Sequence, residues 1–327
     1  MNKRCGYVSI IGRPNVGKST LLNLLVGYKI SAIANKPQTT RTNVRGIVTR
    51  DHYQLIFTDT PGIHQQSKNL LNMTLNSEAV AALESVDAVV MIVEALKWTD
   101  EDELALKRLK HVKSPVFLLV NKVDRVQPKE RLFPYLEKVA AKYNFKEIIP
   151  GSATSEINID RLLEVLVESA PEDDWAYDED SITDQSVRFI CAELIREQLV
   201  LNLHQELPYF TAVHIERYEE TPKYVEIDAV IWVARESQKG IIIGKKGETL
   251  KRIGTDARRS VPGTWQGLAA QASRDQGSPL AAIVEKMIEF ANDGSNTNID
   301  WGFICSATQR ETNDLPVPQA INAVVLE

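Results

Sequence analysis

The stretch Gly12-Arg13-Pro14-Asn15-Val16-Gly17-Lys18-Ser19 constrains this chain more than any other part of it. It fits G-x-x-x-x-G-K-[ST], follows a short apolar run, Tyr7–Ile11, and precedes a helical pattern beginning at Leu21. Glycines at these positions let the backbone turn so that successive N–H groups point at phosphate oxygens. The start of the following helix adds partial positive charge. Lys18 then reaches the β- and γ-phosphates, and the Ser19 hydroxyl takes a place on Mg²⁺. Phosphate and metal contacts are expected from Gly12, Asn15, Gly17, Lys18, Ser19 and Thr20.

The pattern around this loop alternates strand and helix. Strands are expected at Tyr7–Ile11, Gln54–Phe57, Ala88–Val93, Val116–Val120 and Ile148–Ile149. Helical patterns cover Leu21–Leu25, Ala79–Leu83, Glu101–Lys110, Arg131–Lys142 and Ile159–Ser169. Unbroken apolar strands between helices require a sheet covered on both faces. The expected fold of residues 1–170 is therefore an α/β P-loop NTPase domain, a mostly parallel sheet with helices on both faces. Ligands of such sheets bind at the carboxyl ends of the strands.

Three further elements fall at those ends, in chain order. Asp59-Thr60-Pro61-Gly62 follows one strand; Asp59 would hold Mg²⁺ through water, and the Gly62 N–H would approach the γ-phosphate. Asn121-Lys122-Val123-Asp124 follows another. The Asp124 carboxylate can accept two hydrogen bonds from guanine N1–H and the 2-amino group. Adenine lacks that pair of donors and would leave the carboxylate buried and unpaired. The Lys122 stem can cover the base, and Asn121 can tie this loop to the phosphate loop. Ser152-Ala153 can offer a backbone N–H to guanine O6. Each tetrapeptide alone would be an ordinary turn; four in order point to GTP or GDP with Mg²⁺.

Gln38-Thr39-Thr40-Arg41-Thr42 lies where such proteins carry a switch that γ-phosphate and Mg²⁺ order and hydrolysis releases. Thr40 is the favoured metal ligand and Thr39 the alternative, so Ser19, Thr40 and Asp59 form the expected metal set. Lys18, Thr40 and Gly62 are the residues expected to act on the transferred phosphate. Ile63 follows Gly62 where many GTPases use a glutamine to orient water, and isoleucine cannot hydrogen-bond water. Slow intrinsic hydrolysis is the consequence.

The chain has 327 residues and a net charge of −6, which excludes a uniformly basic polynucleotide coat but not a local basic patch. No uncharged apolar run approaches a membrane span. Pro171–Asp180, PEDDWAYDED, reads as a solvated acidic linker. Beyond it a helix at about Asp184–Leu203 and strands at Thr211–Tyr218 and Tyr224–Val233 lead to Ile241-Ile242-Ile243-Gly244-Lys245-Lys246-Gly247, followed by a helix from Glu248. Between Arg235 and Arg259 eight basic residues face three acidic ones. A G-x-x-G turn in a basic cluster lets a nucleic-acid backbone approach closely. RNA contacts are expected at Gly244, Lys245, Lys246, Gly247, Lys251 and Arg252, in an α+β domain of the KH (type II) kind over residues 181–260.

GRPNVGKSTLLN, KPQTTRT, DTPG, KWTDEDE and NKVD resemble the GTPase domain of the Era family. ITDQSVRFICAELIREQL, ELPY, HIERY and IIIGKKGETLKRIGTDAR resemble its KH domain. The resemblance covers about residues 3–260. It implies a GTPase that binds small-subunit (16S) ribosomal RNA and assists 30S assembly. It also implies room for peripheral contact with the inner membrane; three scattered cysteines, Cys5, Cys191 and Cys305, fit a reducing cytoplasm, and a monomer is expected. A constitutive RNA-binding module with structural nucleotide is the alternative. Residues 261–327 depart from the family pattern of a final apolar strand and a basic end: three basic residues stand against eight acidic ones. Pro279–Asn292 reads as an amphipathic helix, and the rest of this tail is expected to be poorly ordered.

Overall fold

The computed structural model describes residues 3–34, 39–60, 83, 85–203, 207, 211–219 and 225–260, with backbone alone at 220, 305–306 and 319–326. The chain divides into two compact units, Met1–Asp184 and Gln185–Glu327.

In the first unit six strands form one sheet. In chain order they are β1 (Arg4–Ile11), β2 (Val44–Arg50), β3 (Tyr53–Asp59), β4 (Ala88–Glu94), β5 (Val116–Asn121) and β6 (Glu147–Pro150). Their spatial order is β2-β3-β1-β4-β5-β6. All neighbours run parallel except β2, which pairs antiparallel with β3 from Val44 opposite Asp59 to Arg50 opposite Tyr53. β4 and β5 are buried along nearly their whole length, as strands covered on both faces must be. The helices are α1 (Lys18–Val26), α2 (Asp100–Arg108), α3 (Leu132–Ala140) and α4 (Ile159–Ser169). Ala105 and Leu106 of α2 and Val139 of α3 close one face over Val89, Met91, Val93, Leu118 and Val120. The sequence reading did not include β2; its Gly46 and arginines hide a strand whose inward residues, Val44, Ile47 and Val48, are nonetheless buried.

The acidic segment is not a free linker. Its side chains are largely exposed, but its backbone is laid along the first unit. The N–H groups of Cys5 and Ile47 donate to the carbonyls of Pro171 and Ile182. The buried Gln54 amide donates to the Tyr177 carbonyl and accepts the Tyr177 N–H, both at 2.9 Å. Thr183 donates to the Arg45 carbonyl at 2.6 Å, and Arg45 pairs with Asp184 at 3.0 Å. Composition marked this stretch as solvated; backbone hydrogen bonding, which composition does not encode, holds it in place.

In the second unit α5 (Val187–Asn202) is capped by Ser186, which accepts the Phe189 N–H. β7 (Thr211–Glu220) and β8 (Val225–Val233) form an antiparallel pair. α6 (Glu236–Ile243), the G-x-x-G turn and α7 (Glu248–Ser260) follow. Cys191, Ile195 and Leu199 of α5 pack with Ile227, Ala229 and Ile231 of β8 and with Leu250, Ile253 and Ala257 of α7. Ile241-Ile242-Ile243 belongs to α6 rather than to a separate apolar run: Ile242 faces the core and Ile241 is 60% exposed.

The tail departs from expectation at two places. β9 (Cys305–Ser306) and β10 (Gln319–Leu326) complete a sheet ordered β7-β8-β10-β9. β10 pairs antiparallel with β8, Gln319 opposite Val233 and Leu326 opposite Ile227. The apolar residues of Ala320–Leu326 suit a strand, a pattern the expectation for the tail did not include. The expected helices at Ala79–Leu83 and Pro279–Asn292 lie outside the described residues in all or most of their length.

Candidate nucleotide site and nucleic-acid loop

The carboxyl ends of β1, β3 and β5 and the loop after β6 converge around a cavity of about 320 Å³, lined among others by Gly17, Lys18, Ser19, Thr40, Asn121 and Lys122. Gly17 caps α1 with φ 108°, the left-handed region that glycine tolerates. A Cβ there would lie 2.4 Å from the Asn121 amide nitrogen. Glycine is thus required twice, by conformation and by the close approach of the guanine loop. Lys18 is buried and its Nζ donates to the carbonyls of Gly12 and Arg13, both at 3.1 Å. Burial pulls its pKa down, with Asp59 acting the other way. Asn15, with φ 63°, and Thr20 line the same cavity.

The three expected metal ligands meet. Ser19 Oγ donates to Asp59 Oδ2 at 2.6 Å and lies 2.9 Å from Thr40 Oγ1, which is 3.3 Å from the same carboxylate oxygen. Thr39 lines the cavity too, but its hydroxyl points to the Ala34 carbonyl. Asp59 is fully buried, and its Oδ1 has no hydrogen-bond partner. Burial pushes this carboxyl up, against the pull of Lys18 and three hydroxyls. One carboxylate and two hydroxyls, with an orphaned buried oxygen beside a phosphate cradle, suit Mg²⁺, which takes few protein ligands alongside phosphate oxygens and water. Among the described residues no group of three His, Cys, Asp or Glu offers another metal site.

The third hydroxyl is one the sequence reading missed. Ser31 donates to Asp59 Oδ2 at 3.0 Å. Asn23 holds Ser31 there: its Oδ1 accepts the N–H groups of Ile30 and Ser31, and its Nδ2 donates to the Ser31 carbonyl. Asn23 stands in the STLLN stretch, but nothing in the spacing announces Ser31. Thr60 fixes the start of the next loop by donating to the Ile10 carbonyl. Gly62, Ile63 and Gln38 lie outside the described residues.

At the other end of the cavity Asn121 donates to the Val16 carbonyl at 2.7 Å and accepts the Ala153 N–H at 2.9 Å. It therefore links its own loop to the phosphate loop and also to the loop after β6, a contact the spacing does not announce. Lys122 reaches back to the Asn15 carbonyl at 2.7 Å. Asp124 Oδ1 is buried without a hydrogen-bond partner. The loop after β6 differs from expectation. The N–H groups of both Ser152 and Ala153 are engaged, with the Ile157 carbonyl and Asn121, while the next residue, Thr154, lines the cavity.

In the second unit the G-x-x-G turn has positive φ at Gly244 (74°), Lys246 (51°) and Gly247 (79°). A Cβ at Gly244 would meet Thr249 Oγ1 at 2.2 Å, whereas one at Gly247 would meet nothing. Lys245, Lys246, Lys251 and Arg252 are all exposed. Lys239 is paired with Glu236, and Arg259 lies near Asp256.

A phosphate cradle, a hydroxyl–carboxylate metal cluster and a guanine reader at one sheet edge define a P-loop GTPase; the second unit adds a KH-like fold. Family models agree: residues 7–122 match "50S ribosome-binding GTPase" and residues 206–264 match "KH domain". The chain is similar to GTPase Era of Ectopseudomonas mendocina (strain ymp), 48% identical over 258 residues, 79% of this chain and 86% of that one. It is similar also to GTPase Era of Marinobacter nauticus, 49% identical over 78% of this chain and 84% of that one. Among solved structures, a single-residue variant of Aquifex aeolicus Era bound to GDP·AlF4⁻ has a TM-score of 0.76 at 36% identity, covering 79% of this chain and 88% of that one. Era in complex with MgGDPNP and nucleotides 1506–1542 of 16S ribosomal RNA gives 0.76 at 37%, with the same coverage. The chain belongs to the Era family and is a GTPase.

Proposed function

We propose that this protein binds 16S ribosomal RNA of the small subunit through its KH unit, under control of GTP bound and hydrolysed in the first unit, and that it assists 30S assembly. The observation that carries this is the meeting of Ser19 and Thr40 at Asp59 Oδ2, with Asp59 Oδ1 beside it buried and unpartnered, because it joins the switch segment to the phosphate loop. Gly12, Asn15, Gly17, Lys18, Ser19 and Thr20 hold the phosphates, and Lys18 neutralises charge on the β- and γ-oxygens. Bound Mg²⁺ supplies Lewis-acid charge to the same oxygens. Ser19, Thr40 and Asp59 hold it, and Thr40 takes part while the γ-phosphate is present. Asn121, Lys122 and Asp124 grip and read guanine, Ala153 braces Asn121, and Ser152 holds the loop beside it. Gly62 is assigned the γ-phosphate contact, and with Ile63 beside it intrinsic turnover is slow.

Gly244, Lys245, Lys246, Gly247, Lys251 and Arg252 form the RNA surface in this reading, supported by the exposed lysines at a turn too tight for a side chain at Gly244. The Era structure with MgGDPNP and a 16S fragment shows a relative holding both ligands. The proposed setting is the cytoplasm, as a monomer, with peripheral contact at the inner membrane. No described helix is long and apolar enough to cross a membrane.

The test is binding of a 16S 3′-end RNA fragment with GTP analogue, with GDP and with neither. RNA affinity should be higher with the analogue than with GDP, and Gly244→Asp should lower it at least tenfold while GTP affinity stays unchanged. Equal RNA affinity in all nucleotide states would refute the switch; an unchanged Kd in the variant would remove the loop from the RNA site.

A further inference from the structure

Beside the nucleotide site, Arg13, Glu94 and Asp102 form a charged cluster that reaches Lys122. Arg13 occupies a variable position of the phosphate loop, yet its side chain is almost wholly buried. Its Nε donates to Asp102 Oδ2 at 3.1 Å and its Nη2 to Glu94 Oε2 at 2.6 Å. Asp102, fully buried on the first turn of α2, also accepts the N–H of Thr99 at 2.9 Å and its hydroxyl at 2.8 Å. Glu94 ends β4, the strand between those that carry the phosphate and guanine loops. Its other oxygen lies 3.7 Å from Lys122 Nζ. Lys122 in turn donates to the Asn15 carbonyl. A ring is thereby closed: Arg13 to Glu94, Glu94 to Lys122, Lys122 to Asn15, two residues along the loop from Arg13.

From this ring we infer that Glu94 and Arg13 are positioning residues that hold the Lys122 stem against the guanine ring and so set how fast nucleotide leaves. Without Glu94, Lys122 keeps a single neutral carbonyl as anchor, and a flexible four-carbon stem bearing a strongly hydrated ammonium is drawn towards water. With Glu94, the ammonium is held between a carboxylate and a carbonyl, and the stem is laid in one direction. Arg13 keeps Glu94 in place by a charge-assisted hydrogen bond. It is itself pinned by Asp102, whose position the α2 cap determines. Two cations and two carboxylates balance in charge, which is what lets Arg13 and Asp102 be buried. Burial works against the Glu94 charge, but the Arg13 hydrogen bond and the Lys122 charge outweigh it, and its carboxyl lies below the usual range. Glu94 is therefore an anion when Lys122 needs a partner. Glu94 meets Lys122, which covers the base, and has no bond to Asp124, which is assigned the choice among bases. Its effect should fall on retention of any purine nucleotide, with choice among bases left to Asp124.

The inference rests on the guanine-nucleotide reading, and one experiment separates the two. Fluorescently labelled GDP and IDP are chased from the full chain, from Glu94→Gln, from Lys122→Met and from the double variant. Glu94→Gln should speed release of both nucleotides at least fivefold and by the same factor. In the Lys122→Met background it should add less than twofold, because the group it positions is gone. Unchanged release in Glu94→Gln, or a full fivefold effect on top of Lys122→Met, would overturn the positioning role while leaving the site intact. Absence of GDP binding by the unmodified chain would overturn both readings. The substitution is isosteric at a part-exposed side chain, and Lys122→Met approaches the same contact from its other end. A general loosening of the fold would act in both backgrounds alike and so count against the inference.

Discussion

In the proposed reading Asp124 carries the choice of base. Its Oδ1 has no hydrogen-bond partner in the protein, and a charged hydrogen bond to a buried acceptor is worth about 1.5–3 kcal/mol. Asp124→Asn replaces an acceptor by an amide that both donates and accepts. The amide should lose guanine by at least about tenfold for each bond removed and gain xanthine, whose 2-oxo group accepts what the amide donates. Competition of GTP against XTP in equilibrium binding checks this: XTP binding no better to the variant than to the parent would be the contrary result. Residues such as Asp124, Ser19 and Asp59 could be picked out from sequence because each sits at fixed spacing inside one loop. Ser31, Glu94 and Asp102 could not. Ser31 meets Asp59 from a different loop, and Glu94 and Arg13 lie on separate strands' ends, so their chemistry exists only after the sheet has formed. Arg13 occupies a variable position of the phosphate loop, and only its burial gives it meaning.

β4 and β5, buried on both faces, stand where continuous apolar runs place them, and α4, buried on one face, stands where a 3.6-residue period does. β2 is half-disguised because it sits at the sheet edge, where one flank needs no apolar cover. The acidic segment is a harder case, since its attachments are mostly backbone groups and one amide. Gln54 sits on β3 with no exposure, and its side chain makes hydrogen bonds with Thr49, with the Tyr177 carbonyl and with the Tyr177 N–H. Gln54→Ala would remove all three and leave the half-buried Tyr177 N–H and carbonyl without their protein partner. The expected cost is about 1–3 kcal/mol to the first unit, with faster exchange of the Tyr177 amide in particular. Denaturant unfolding gives the first and amide exchange the second. A Tyr177 amide still protected to the parent's level would mean that the strap holds without this clasp, and that Cys5, Ile47 and Thr183 suffice.

At the scale of the molecule, the second unit closes its sheet with a strand from far along the chain. α7 ends at Ser260, and β10 enters at Gln319 to take the free side of β8. β8 carries Ile227, Ala229, Ile231 and Val233 into the core, so its position fixes where α5, α7 and the G-x-x-G turn can pack. With β7 alone beside it, β8 would present an unpaired row of N–H and C=O groups, the arrangement that invites association between copies. The antiparallel register runs from Gln319 opposite Val233 to Ile227 opposite Leu326, interrupted by a shift between Asn322 and Val325. Loop closure over the intervening residues costs only slowly more with length, so distance in sequence does not by itself forbid the pairing. It does make the pairing late and non-local, and local pattern reading has little purchase on it. Ending the chain after Pro318 should therefore leave GTP affinity unchanged, while amide protection at Val230 and Ile231 falls at least tenfold, RNA affinity drops, and the protein becomes prone to self-association. Hydrogen exchange, RNA titration and sedimentation report these separately. Full protection along β8 in the shortened chain, with RNA affinity intact, would show that β7, α5 and α7 hold the unit together without a third strand.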